Sequence, residues 1–173
     1  MADGRRGRRW RAITCAEDGR LISDLLLEVD PGGHVQKLEI ASLAGLLTLH
    51  PDRDDTALHG NVVRPAGVEH VTLPWSGDSL LMAAGSPVTG VVAARELASL
   101  VGVGEGATFP AVEVAEDLSI RRATWRVARV GERRWLLLAA DRGTAVTVAF
   151  EEDGTPTGLD AAEAWPLEAL RPA

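Results

Sequence analysis

"RWRAITCAEDGRLISDLLLEVDPGGHVQKLEI", residues 9–40, decides the fold class. Its first stretch alternates with a period of two. Trp10, Ala12, Thr14 and Ala16 share one face, and Ile13 and Cys15 lie on the other. "EDGR" then reads as a turn, with glycine supplying backbone freedom. "LISDLLLEV" resumes the alternation. Leu21, Ser23, Leu25, Leu27 and Val29 fall on one side, while Asp24 and Glu28 lie opposite with Leu26 between them. "DPGG" at 30–33 is a second turn, because proline presets one dihedral and glycine tolerates positive φ. "HVQKLEI" follows. Strands joined by turns this short are antiparallel neighbours.

The same grammar continues downstream. "GLLTLH", "ALHGNVVR" and "VEHVTL" read as strands, separated by the polar turn "DRDDT" and by "PAG". The pattern changes at "GSPVTGVVAARELASLVGVG". Ser86 suits a helix cap and Pro87 the first helical position, which predicts one helix near 87–100, with Gly102 or Gly104 ending it. Gly90 and three valines oppose a helix here, and the alternative is a loop and another strand. "TFPAVEV", "LSIRRATWRVARV", "WLLLAA" and "TAVTVAF" return to strand patterning. "DAAEAWPLEAL" reads as a short helix before Pro166 or as an edge tail. The expectation is mostly antiparallel β: a curved sheet forming a roll or barrel-like scaffold with one packed helix near 87–100. No long linker or fixed-period repeat divides the chain. Residues 1–9 are expected as a flexible basic N-terminus and residues 10–173 as a single β-rich domain. Such a roll would enclose an apolar cavity lined by its inward positions.

Composition narrows the functional classes. The chain has 173 residues, 46% of them apolar, so it can bury a sizeable core without disulfides or a structural metal. Its single cysteine, Cys15, excludes an intrachain disulfide and a cysteine-based zinc site, and it fits a cytoplasmic location. Cys15 itself is expected as a small buried side chain. The net charge of −7 argues against nucleic acid and anionic membranes as partners, although five arginines crowd residues 5–11. No segment has the length and apolarity of an integral membrane span or a signal peptide. Phosphate-loop, dinucleotide-binding, metalloprotease and serine-elbow motifs are absent, and no cofactor or metal is expected.

Candidate residues concentrate in "HGNVVRPAGVEHVTLPW", residues 59–75. His59, Asn61, Arg64 and His70 would form a polar rim, with His59 and His70 able to meet across a hairpin. Glu69 shares a strand face with Val71 and Leu73, whereas His70 shares one with Val68 and Thr72. If the Glu69 face points inward, its carboxyl must be paired or perturbed, which would equip Glu69 and His70 for acid–base catalysis. An edge strand facing water accounts for the same letters. Arg122 and Arg126 fall on one face of their strand, suited to a carboxylate or phosphate, with surface solubility the alternative. Trp75 and Trp125 offer apolar ligand surface or core packing.

The run "LSIRRATWRVARVGERRWLLLAADRGTAVTVAFEEDG", residues 118–154, resembles a bacterial family described as glycolipid-binding and built as a spiral β-roll. The shared order is a polar strand, a short turn, a strand, then a strand ending in an acidic–glycine turn. "LPWSGDSLLMAAGSPVTG", residues 73–90, departs from the proline-, threonine- and asparagine-containing stretch of that family, so no ligand residue is carried over. The resemblance implies a grooved or enclosed β scaffold suited to an amphipathic ligand.

Three functions follow. The first is binding of a small apolar or amphipathic molecule, lipid-like or polyketide-like. The second is a cofactor-free cyclase, isomerase or lyase acting on an apolar substrate. The third is a structural or protein-interaction domain, with a homodimer open.

Overall fold

The computed structural model describes residues 2–4, 7–141 and 145–159. Its mostly antiparallel strands form a curved, half-barrel scaffold with one packed helix. The first sheet is a seven-stranded meander in chain order: β1 (Ala2–Gly4), β2 (Gly7–Cys15), β3 (Leu21–Val29), β4 (Val35–Ser42), β5 (Gly45–Pro51), β6 (Ala57–Arg64) and β7 (Gly67–Pro74). The second holds β8 (Leu80–Ala83), β9 (Gly106–Val114), β10 (Ile120–Gly131), β11 (Arg134–Ala139), β12 (Ala145–Phe150) and β13 (Pro156–Leu159), each beside the next. Helix α1 (Pro87–Glu96) and a 3₁₀ turn (Leu97–Ser99) connect β8 to β9. That crossover makes β8 and β9 parallel, with Leu80 beside Ala111.

Alternation in residues 9–40 becomes the inner face of the first sheet. Trp10, Leu25, Leu27, Val29, Leu38 and Ile40 are buried. They join Leu47, Leu49, Leu58 and Val62 from β5 and β6, and Trp125, Trp135, Leu137 and Val148 from the second sheet, in one continuous core. The interior is therefore packed. Among the described residues, two hollows at its margins, one beside Trp10 and one beside Trp75, are clefts open to solvent.

The helix lies where the sequence places it, for a different local reason. Ser86 occupies the cap position, but its side chain makes no capping hydrogen bond. Thr89 Oγ1 instead accepts from Ala83 N and donates to Ser86 O, both at 3.2 Å. A Cβ on Gly90 would stand 2.9 Å from Val148 Cγ2, so the glycine lets the helix sit close on β12. Residues Pro87 to Ala94 are all buried, which is why the apolar stripe looks broad and weakly periodic.

Several local expectations change. β2 begins at Gly7, two residues before Arg9, so Arg8 is also a strand residue, in register with Val29. Cys15 is exposed at the end of that strand, not buried. β1, β8 and β13 are additional strands. "DAAEAWPLEAL" lies outside the described residues. Among the described residues, no helix is long and apolar enough to cross a membrane.

Candidate functional site

A cleft of about 630 Å³ opens where the first sheet hands the chain to the second. Pro74 ends β7, and the Trp75 N–H donates to Thr56 O at 3.0 Å, which turns the buried indole into the cleft wall. The next four residues form a tight polar turn. Ser79 N donates to Ser76 O at 2.8 Å, Ser76 N to Ser79 Oγ at 3.1 Å, and Ser76 Oγ to Asp78 Oδ1 at 2.5 Å. The opposite wall comes from β9 and β10, whose register sets Arg122 beside Val112 and Thr124 beside Pro110. Ala140 N donates to Thr124 O at 2.9 Å and brings Asp141 to the rim. The cleft lining thus combines apolar side chains (Trp75, Ala111, Val112, Ala123) with polar ones (Arg122, Thr124, Ser76, Asp141).

An ionic network anchored on one buried carboxylate adjoins this wall. Glu113 is 6% exposed. Its carboxylate accepts from Trp125 Nε1 at 2.7 Å and meets Arg121 Nη2 at 2.5 Å. Arg121 Nη1 also donates to Asp141 Oδ2 at 2.8 Å. The hydrogen bond to Asp141, then that to Glu113, raises the Arg121 pKa further and keeps the guanidinium charged.

A second cleft, about 490 Å³, lies at the C-terminal end of α1. Trp10, the turn Asp30–Gly33, Arg8, Arg95 and Glu96 line it. Burial, reinforced by the Asp30 charge, pushes the half-buried Glu96 carboxyl up to about 8.

The expected site residues separate into groups. Trp75 and Arg122 meet in the first cleft. His59, Asn61 and His70 share the outer face of the first sheet. His70 Nδ1 donates to Asn61 Oδ1 at 2.6 Å, and His59 faces Thr72 with Nδ1 3.3 Å from its hydroxyl. His59 therefore sits diagonal to His70 and directly opposite His50, with ring centroids 6.2 Å apart. Among the described residues, no three His, Cys, Asp or Glu side chains are grouped as a cation site. Glu69 is exposed on β7, the edge strand. Arg64 does not pair with it: Nη1 donates to Asp117 O at 2.6 Å and ties the first sheet to the β9–β10 turn. Trp125 belongs to the core beside Glu113, and Arg126 is exposed on β10 outside the cleft lining.

Sequence reasoning overlooked Glu113, Glu96 and the Ser76–Ser79 turn. A lone acid in the apolar strand "TFPAVEV" was a usable signal for Glu113. Nothing local marked Glu96, because its surroundings come from the distant 30–33 turn.

A crystal structure of a DUF1089 family protein from Pseudomonas aeruginosa is similar to this chain. The TM-score is 0.64 over 95% of this chain and 97% of that one, at 16% sequence identity. At that identity the likeness is one of fold, and it supports a β-roll-like architecture. No family model and no curated protein matches the chain.

Proposed function

We propose that the chain binds a small amphipathic molecule in the first cleft, with its apolar part on Trp75, Ala111 and Val112 and an anionic head on Arg122. The observation that carries this reading is that a buried indole and an arginine line one cleft of about 630 Å³. That volume falls within the range of about 300–1,000 Å³ usual for small-molecule sites, where apolar lining supplies affinity and a few polar groups fix orientation. Asp141 is already engaged by Arg121, which leaves Arg122 as the cleft's charge for the ligand head. Thr124 adds a hydroxyl for a carboxylate or phosphate oxygen. Glu69 and His70 stand apart on the exposed edge strand, so acid–base turnover draws no support from them.

Dodecanoate is a suitable lipid-like anion, with dodecanol and dodecyltrimethylammonium as controls. Saturable quenching of tryptophan fluorescence by dodecanoate is expected, weakened about tenfold in Arg122→Gln and further in Trp75→Ala. Equal binding of the cationic control, or indifference to both substitutions, would sink this reading.

A further inference from the structure

We propose that the cleft at the C-terminal end of α1 is a second ligand site, which takes a small zwitterion with its ammonium between Asp30 and Glu96 and its anionic group on Arg95. Adjacent helix residues send opposite charges to different walls. A Cβ placed on Gly33 would lie 3.4 Å from Glu96 Cγ, so Glu96 extends towards the 30–33 turn. A Cβ placed on Gly154 would collide with Arg95 Nη1 and stand 2.7 Å from Trp10 Cη2. The Arg95 guanidinium therefore ends beside the Trp10 ring, at the turn that precedes β13. The cleft is bipolar, with an acidic wall and a basic wall around a volume of about 490 Å³.

The acidic wall is incomplete without a cation. Asp30 Oδ1 accepts from His34 N at 3.0 Å. Among the described residues, the Glu96 carboxyl makes no hydrogen bond or ion pair, and only burial and Asp30 move its pKa. A half-buried carboxyl beside another carboxylate stays protonated near neutrality. An ammonium in contact with both reverses that balance, since an opposite charge within about 4–6 Å favours ionisation. Docking would then release the Glu96 proton to the buffer while the ligand nitrogen stays protonated. The other charged groups that line the cleft are Asp30 from the β3–β4 connection, Arg8 from β2 and Arg95 from α1. Across the cleft, the guanidinium of Arg95 suits a carboxylate or a phosphate.

Calorimetric titration at pH 7, in two buffers of different ionisation enthalpy, tests the site. The probes are the L-α-amino acids, Gly-Leu and 6-aminohexanoate. Each compound that binds is repeated as its N-acetyl and C-amide derivative. At least one zwitterion should bind with a dissociation constant below about 1 mM, and both capped forms should be at least tenfold weaker. Binding should release a fraction of a proton that approaches one as Glu96 ionises. That release should vanish in Glu96→Gln, and Arg95→Gln should weaken the anionic end at least tenfold. Arg122→Gln should leave all of this unchanged, which separates the site from the first cleft. Absence of binding by every probe, equal binding of the capped forms, or proton release that survives in Glu96→Gln would overturn the proposal.

Discussion

Glu96 couples the smallest scale to stability. Its carboxyl is held at about 8, against an ordinary value of 4.5, so the folded state prefers the protonated form. Stability from that preference is fully present below the ordinary value and is lost as pH rises through about 8. Glu96→Gln removes the titration while keeping the shape. The substitution is expected to match the wild type in melting temperature near pH 4.5 and to exceed it at alkaline pH. A difference of about 3 °C or more at pH 8.5 would correspond to roughly 1 kcal/mol for a chain of this size. Thermal melts from pH 4 to 9 check this, and parallel curves would contradict it. Asp24 shows the opposite sign at the surface. The hydrogen bond from Arg11 lowers its pKa, so any stability it adds is lost as pH falls.

At the scale of elements, β9 and β10 carry more than their share of the architecture. Their register sets Glu113 opposite Arg121 and within reach of Trp125, and that arrangement locks the wall of the first cleft. Glu113→Ala should cost about 3 kcal/mol or more, because a buried indole N–H loses its acceptor and the guanidinium loses its inner partner. Arg121→Gln should cost less than Glu113→Ala, since Arg121 is partly exposed and its pair with Asp141 is screened by water. Urea unfolding of the two variants distinguishes them, and a larger loss for Arg121→Gln would contradict the ordering. The sequence hides part of this layer. β8, "LLMA", is buried at all four positions, so it has no alternation to read. Its parallel pairing with β9 follows from the helix between them, not from any letter within either strand.

Across the whole molecule, one core joins both sheets to the helix, with Trp10 on the first sheet and Trp125 and Trp135 on the second. The chain is expected to unfold as one cooperative unit. Far-ultraviolet dichroism and tryptophan fluorescence should give coincident urea transitions, in the wild type and in Trp10→Phe alike. Separate midpoints would divide the sheets into independent units. By itself the sequence determined the strand-rich class, the meander of residues 9–74 and the helix near 87–100. Those properties rest on side-chain periodicity and turn chemistry within a few residues of each other. It also named Trp75 and Arg122, two residue types that suit an amphipathic ligand. Only the tertiary structure decided that these two share a cleft, that Glu69 faces water on an edge, and that His59 and His70 lie diagonally on an outer face. It alone set Glu113 against Arg121 and Trp125, and Glu96 against Asp30. The physical reason is common to all of these. A period of two says which residues share a face, whereas the partner of that face depends on register and sheet order. Burial of a carboxyl depends in turn on segments tens of residues away.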